Sequence, residues 1–190
     1  MKSYATMHPE RRRRPIQAAV ALLGVLTLGA TACESIDPTE PVSTADGYAI
    51  AYVIDGDTLE VTDPDGATQR VRLLGINTPE VAHEGQAAQC GGEEASMQLA
   101  ELLPEGTAVQ LVTDARADAE DRYGRLLRYV ETENGTDAGR ALITEGYAYA
   151  WAPSSEPEPE RMGDYEDSTA AARTAGTGSW STCPDLDQSR

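Results

Sequence analysis

Three short segments of this 190-residue chain gather the residue types needed for cation binding, anion binding and proton transfer. The first, Ile54-Asp55-Gly56-Asp57-Thr58, sets two carboxylates at one tight turn. A divalent cation such as calcium takes about 6–8 oxygen ligands, so carboxylates at a turn can begin a site that carbonyls and waters complete. The second, Arg72-Leu73-Leu74-Gly75-Ile76-Asn77-Thr78-Pro79-Glu80, carries an arginine, an amide and a glutamate. Glu80 follows directly on Thr78-Pro79, where a rigid turn can aim it as a general base. The third, Asp121-Arg122-Tyr123-Gly124-Arg125, brings two more arginines beside a tyrosine. A planar guanidinium can bond two phosphate oxygens at once. An activated water, cationic groups for the growing charge and a geometry that holds both are the requirements of phosphate-ester hydrolysis.

Other polar side chains read more plainly. Arg122 and Arg128 suit surface ion pairs, which contribute little. Asp55 suits a turn former that supports Asp57. His83 is the single histidine after the basic leader, so a zinc site or a histidine-based mechanism is hard to build. Ser154 and Ser155 have no base within sequence reach. Tyr147 and Tyr149 lie in a Tyr-Ala-Tyr-Ala-Trp run that suits core and rim packing.

The elements that must position these residues follow from periodicity. Gly47 to Val53 is strand-like, and Thr58 to Thr62 alternates with Leu59 and Val61 on one face. Pro64-Asp65-Gly66 marks a turn, after which Val71, Leu73 and Gly75 alternate with Arg70, Arg72 and Leu74. These are three consecutive antiparallel strands. Helical spacing of Ala95, Leu99 and Leu102 predicts a helix over Glu93 to Leu103, stopped by Pro104. Thr107 to Thr113 and Leu126 to Glu131 are two further strands. Asp137 to Glu145 is a short helix capped by Gly146, and Arg161 to Ala175 is a third helix. The Pro-Glu alternation of 153–160 is an exposed loop. The expected class is α+β, mainly β: a five-stranded barrel of OB type packed with three helices.

Bulk properties bound the function. The formal net charge is −17, and the 40% apolar content includes no Phe. Lys2 and Arg11 to Arg14 precede Cys33; the remainder holds 10 arginines, no lysine and 31 acidic residues, a net of −21. So acidic a body does not adhere generally to DNA or to anionic membranes, and affinity for an anion must be local.

The arginine run, the apolar stretch Ala18 to Leu28 and the small residues before Cys33 have the order of an export signal. The apolar stretch is shorter than the ~20 residues a spanning helix needs. Residues 1–32 are therefore expected to be a leader, with Cys33 resembling a bacterial lipoprotein lipidation site. Sec and twin-arginine export are both compatible with it. Residues 33–46 are a Ser, Thr, Pro and acid tether, 47–184 the domain and 185–190 a tail. Lipid would then be the one membrane contact, on the outer face of the cell membrane, unless the chain is secreted. Cys90 and Cys183 remain. In an oxidising compartment a disulfide is the simplest inference, with two free thiols or half a metal site as alternatives.

Taken in order, the three segments resemble the thermonuclease family, typified by staphylococcal nuclease. The resemblance runs from about Tyr48 to Cys183, with Trp180 where that family places a tryptophan. It implies a calcium-dependent endonuclease that hydrolyses DNA and RNA, acting as a monomer without a protein partner. Arg72 and Arg125 fall on the family's phosphate-clamp positions, and Glu80 on that of the base or positioner of the attacking water. Asp57, the position of Asn77 and the Thr78 carbonyl fall on its calcium ligands. Asn77 is the departure, because a second carboxylate is expected there. Its amide oxygen can coordinate, but one negative charge is gone, which implies a weaker or less selective calcium site. Tyr123 is a candidate to stack on or bond a nucleotide. The alternative, favoured by Asn77 and the acidic body, is a surface OB-type module that binds nucleic acid or another ligand without cutting it. A purely structural surface lipoprotein is a third.

Overall fold

The computed structural model of the chain describes residues 47–183 and 185–188. The expected leader over 1–32, the lipidation residue Cys33 and residues 33–46 of the tether lie outside the described residues, as do Pro184, Ser189 and Arg190.

Five strands close a barrel in the order β1-β2-β3-β6-β5. They are β1 (Tyr48–Val53), β2 (Thr58–Thr62), β3 (Thr68–Leu73), β5 (Ala108–Val112) and β6 (Leu126–Thr132). The first three pair antiparallel, with Ile50 opposite Val61 and Leu59 opposite Val71. A bulge between Ile50 and Tyr52 bends β1, which lets it also pair with β5 and close the ring. β3 and β6 run parallel, Arg72 opposite Leu127, and such a pair requires a long crossover. Helix α1 (Gly92–Leu102) lies within that crossover; α2 (Ala138–Thr144) and α3 (Met162–Ala175) follow β6.

The sequence pattern accounts for each piece. Along β2, Leu59 and Val61 are wholly buried while Glu60 and Thr62 are half-buried. Asp63 Oδ1 accepts from the backbone N–H of Asp65 and Ala67, which closes the Pro64-Asp65-Gly66 turn. Helix α1 buries Ala95 and Leu99, and α2 opens on Asp137, whose side chain accepts from Arg140 N–H. One core joins Leu59, Val71, Leu99, Val130, Ile143 and Tyr165. A second cluster of Tyr149, Ala172, Trp180, Cys183 and Leu186 seals the C-terminal segment.

Three details depart from the sequence reading. Helix ends move by a residue. The third strand stops at Leu73, and Gly75, at φ +80°, turns the chain into a separate short strand β4 (Ile76–Asn77). β4 pairs with β7 (Tyr149–Ala150), which sets Asn77 opposite Tyr149. Packing also continues past residue 184, since Leu186 is buried in the second cluster.

Candidate active site

The turn between β1 and β2 fixes Asp57. Asp55 Oδ1 accepts the Asp57 N–H at 3.0 Å, so Asp55 shapes the turn. Asp57 is buried; its Oδ2 accepts the Thr78 N–H at 3.1 Å and pairs with Arg72 Nη2 at 2.9 Å, while Oδ1 accepts the Thr58 hydroxyl at 3.2 Å. Burial pushes the Asp57 carboxyl above the usual carboxylate value, with Arg72 opposing this and Asp55 adding to it.

Arg72 leaves β3 with its guanidinium held on several sides. Nη1 donates to the carbonyls of Leu73 at 2.6 Å and Ile76 at 3.0 Å, and Nη2 donates to Asn77 Oδ1 at 3.0 Å. Bonds to backbone carbonyls fix its plane without neutralising it.

Arg125 arrives from the turn before β6. Asp121 Oδ1 accepts the N–H groups of Tyr123 and Arg125, and its Oδ2 takes Arg125 Nε at 2.7 Å and Nη2 at 2.6 Å. One carboxylate therefore closes the turn and aims the guanidinium. Burial alone would raise the Asp121 carboxyl, but hydrogen bonds from Arg125 and Tyr123, with the Arg125 charge, hold it below the usual value. Arg125 Nη1 lies 3.4 Å from Thr58 Oγ1. A continuous line thus runs Arg125–Thr58–Asp57–Arg72 and joins two arginines far apart in the chain.

Glu80 is half-exposed. Its N–H donates to Gln89 Oε1 at 2.8 Å and its carbonyl accepts from Gln89 N–H at 2.9 Å. Gly92 packs against the same peptide; a Cβ there would stand 2.3 Å from the Glu80 carbonyl oxygen. His83 Nε2 lies 3.7 Å from Glu80 Oε2, both on an exposed loop. Tyr123 is 67% exposed, with the guanidinium carbons of Arg122 and Arg125 at 4.7 and 5.4 Å from its ring centre.

One cavity of about 1360 Å³ takes in Asp57, Arg72, Asn77, Glu80, Tyr123 and Arg125. Asp55, Asp118, Glu120 and Glu156 also line it, so the cleft offers aimed arginines inside an acidic rim. Thr78 is buried behind it.

The expected cation ligands are each partnered within the protein. Asn77 Oδ1 faces Arg72, which fixes the amide's orientation, because a flipped amide would point N–H at a guanidinium. Asn77 Nδ2 donates to the Thr78 carbonyl at 3.0 Å and to the Tyr149 hydroxyl at 2.8 Å. The donors fit a divalent cation in kind, being all oxygens, but they supply one carboxylate. A cation would share Asp57 with Arg72 and the Thr78 carbonyl with Asn77, each oxygen already accepting a hydrogen bond or ion pair. Among the described residues there is no group of three or more His, Cys, Asp or Glu placed to hold a metal ion.

Cys90 and Cys183 are joined as a disulfide. Among the described residues Arg128 forms no ion pair: it donates to the carbonyls of Ala119 and Leu127, both at 2.7 Å, and ties down the loop before β6. Arg122 donates to the Tyr123 hydroxyl. Four positioning residues escaped the sequence reading: Thr58, Gln89, Asp121 and Tyr149. Asp121, four residues before Arg125 in one turn, and Thr58, beside Asp57, lay inside the quoted motifs. Gln89 and Tyr149 gave no local signal, because a loop closure and a two-residue strand pair create their roles.

A family model described as Staphylococcal nuclease homologue matches residues 70–182. Among curated proteins, the chain is 36% identical over 135 residues to an uncharacterized protein of Bacillus anthracis, covering 70% of this chain and 59% of that one. It is 39% identical over 106 residues to the SPbeta prophage-derived endonuclease YokF of Bacillus subtilis, covering 54% and 34%. It is 39% identical over 85 residues to a thermonuclease of Staphylococcus intermedius, covering 45% and 48%. The chain thus spans between about a third and three fifths of the length of these relatives.

Proposed function

The chain belongs to the staphylococcal nuclease homologue family, and on that premise we propose that it is an endonuclease hydrolysing phosphodiester bonds in DNA and RNA. The observation that carries this reading is the line Arg125–Thr58–Asp57–Arg72, whose arginines and aspartate line one cavity together with Glu80.

The chemistry assigned to these residues is attack of water on phosphorus. The Glu80 carboxylate takes a proton from the water as its oxygen lone pair forms the new P–O bond. The two guanidiniums donate to the non-bridging oxygens, whose charge grows in the transition state. Arg72 does so through Nε–H, since its four Nη hydrogens are held within the protein, and Arg125 through the second hydrogens of Nη1 and Nη2. The ester P–O bond breaks with its electron pair on the departing oxygen, which leaves protonated from solvent. Because Asp57 and Asp121 hold Arg72 and Arg125 in place, little reorganisation is needed as charge develops. Tyr123 offers a nucleobase an exposed ring to stack on.

We assign calcium to Asp57, the Asn77 amide oxygen and the Thr78 carbonyl, as a weak site. When bound it would add positive charge beside the phosphate. The order of arginine run, apolar stretch and Cys33 supports an export leader with a lipid anchor, which would put the enzyme outside the cell, where nucleic acid is met as polymer.

The test incubates the full chain with DNA and with RNA, in calcium and then in chelator, beside Arg72→Ala, Glu80→Ala and Arg125→Ala. Hydrolysis by wild type that falls at least a hundredfold in each variant is expected. Hydrolysis indifferent to all three would remove the site assignment, and hydrolysis indifferent to chelator would remove calcium. A shifted band on a gel without cleavage would make the chain a binding module.

A further inference from the structure

We propose that Gln89 and the Cys90–Cys183 disulfide are positioning residues for Glu80, and that reducing the disulfide lowers turnover while the barrel stays folded. This rests on the nuclease reading of Glu80 and extends it to a control by thiols.

Glu80 lies off the barrel strands, on a loop, and, among the described residues, its carboxylate is not locked by a buried or half-buried partner as Arg72 and Arg125 are. Arg72 and Asp57 lie on barrel strands and their connecting turn, and Arg125 is locked by Asp121. Glu80 opens a nine-residue excursion, 80–88, whose side chains are nearly all exposed. Within it the backbone is tied by His83 and Gln86 bonding one another. Its base is closed by Gln89, which bonds the Glu80 peptide on both sides, N–H to Oε1 and carbonyl to N–H.

Gln89 is in turn placed by its neighbour. Cys90 is bonded to Cys183, 93 residues on, and Cys183 is buried with Trp180 and Leu186. Gly91 presses on the same cluster, where an added Cβ would meet Leu186 Cδ1 at 2.8 Å. Upstream, Thr78 is held by Asp57. The backbone that carries the carboxylate is thus clamped between the Asp57 turn and the disulfide. Catalytic groups must keep their geometry closely, and a displacement of about 1 Å can cost about a hundredfold in rate.

Cys90 is an exposed residue bonded to a buried one, so its sulfur is taken as the point of attack by a dithiol reductant. One thiolate of the reductant attacks Cys90 Sγ and Cys183 leaves as a thiolate. The second thiol closes the reductant's own disulfide and releases Cys90. Two electrons pass to the protein and the dithiol is oxidised. Helix α1 is anchored in the core by Ala95 and Leu99, independently of the bond, so the loss is assigned to the 80–90 segment and not to the barrel.

The experiment uses the oxidised full chain, before and after dithiothreitol, with the free thiols counted, and then after reoxidation by oxidised glutathione. Gln89→Met, which removes the acceptor but leaves the disulfide, and Cys90→Ser/Cys183→Ser accompany it. The expected result is a kcat at least tenfold lower on reduction, in Gln89→Met and in the double variant. KM stays within about twofold, far-UV circular dichroism is unchanged, and reoxidation restores the wild type. Unchanged kcat in fully reduced protein overturns the disulfide's role, and unchanged kcat in Gln89→Met overturns that of Gln89. Loss of kcat only together with loss of the circular dichroism signal would make the disulfide a structural brace and overturn the inference. Oxidised wild type that cleaves no nucleic acid would instead overturn the nuclease reading.

Discussion

Replacing Asp121 with asparagine sets two effects of opposite sign against each other. The carboxylate does two jobs, one per oxygen: Oδ1 holds the turn through Tyr123 and Arg125 N–H, and Oδ2 holds the Arg125 guanidinium. Asparagine keeps one acceptor, so it can do one of them, and its NH₂ faces either a backbone N–H or a guanidinium. The side chains of the pair are 25% and 16% exposed, so the lost charge-assisted bonds are discounted for solvent to about 1–2 kcal/mol in all. That is enough to free the guanidinium, and a loss of aim of about 1 Å costs about a hundredfold in kcat, or about 2.7 kcal/mol of barrier. Against this, removing one negative charge beside Arg125 favours ground-state binding of a phosphate by at most about 3 kcal/mol, the Coulomb energy for an assumed separation of about 6 Å at an effective dielectric of about 20. Asp121→Asn should therefore lower kcat about 30- to 100-fold and lower KM as well, leaving kcat/KM less affected than kcat. Steady-state cleavage of a short oligonucleotide at fixed ionic strength separates the two constants. An unchanged or raised kcat with a lower KM would show that Asp121 only neutralises Arg125, and the positioning role would fall.

Asn77→Asp supplies the missing carboxylate and releases the Thr78 carbonyl. With 10 mM calcium its melting temperature should rise by about 5–10 °C, equivalent to about 2–3 kcal/mol, while wild type moves by about 1 °C; equal shifts would refute the weak-site account. Hydrogen bonds from Tyr129 and from the backbone of Arg116 and Glu160 outweigh the effect of burial and hold the Asp114 carboxyl below its usual value. A depressed folded value contributes stability that is present above the unfolded value near 4 and is lost as pH falls through the folded one. The melting-temperature gap between wild type and Asp114→Asn should therefore be constant from pH 7 to about 5 and shrink below about pH 4; a gap constant down to pH 2.5 would contradict this. Because the body after Cys33 carries −21, KM for DNA should fall or stay level as NaCl rises from about 10 to 150 mM. A steep rise, as basic proteins show, would place net attraction where the account has repulsion.

The barrel was legible because its strands advertise themselves. Leu59 and Val61 alternate with polar neighbours, Pro64-Asp65-Gly66 marks the hairpin, and Ala95, Leu99 and Leu102 step at helical spacing. β4 and β7 were not, since two residues have no period, and so Tyr149 read as packing when its hydroxyl faces Asn77. The same holds within the site. Arg72, Glu80 and Arg125 stand in motifs whose chemistry follows from residue type, and the structure brings all three to one cavity. What each motif could not reveal was its partner. Only folding shows that Asp121 turns back on Arg125, that Thr58 bridges to it, or that Asn77 spends its amide on Thr78. The orientation of an amide follows from its three-dimensional neighbours, so the doubt raised by Asn77 in place of a carboxylate became a specific network only in the folded chain.

The claim on which the rest depends is that Arg72 and Arg125 grip one phosphate together. A double-mutant cycle of Arg72→Ala and Arg125→Ala, read as kcat/KM on a single oligonucleotide, tests it most directly. Shared grip predicts that each single variant loses about 10²- to 10³-fold and that the double loses at least tenfold less than the product, a coupling of about 1.4 kcal/mol or more. Losses that multiply to within about twofold would mean the two guanidiniums act on separate groups.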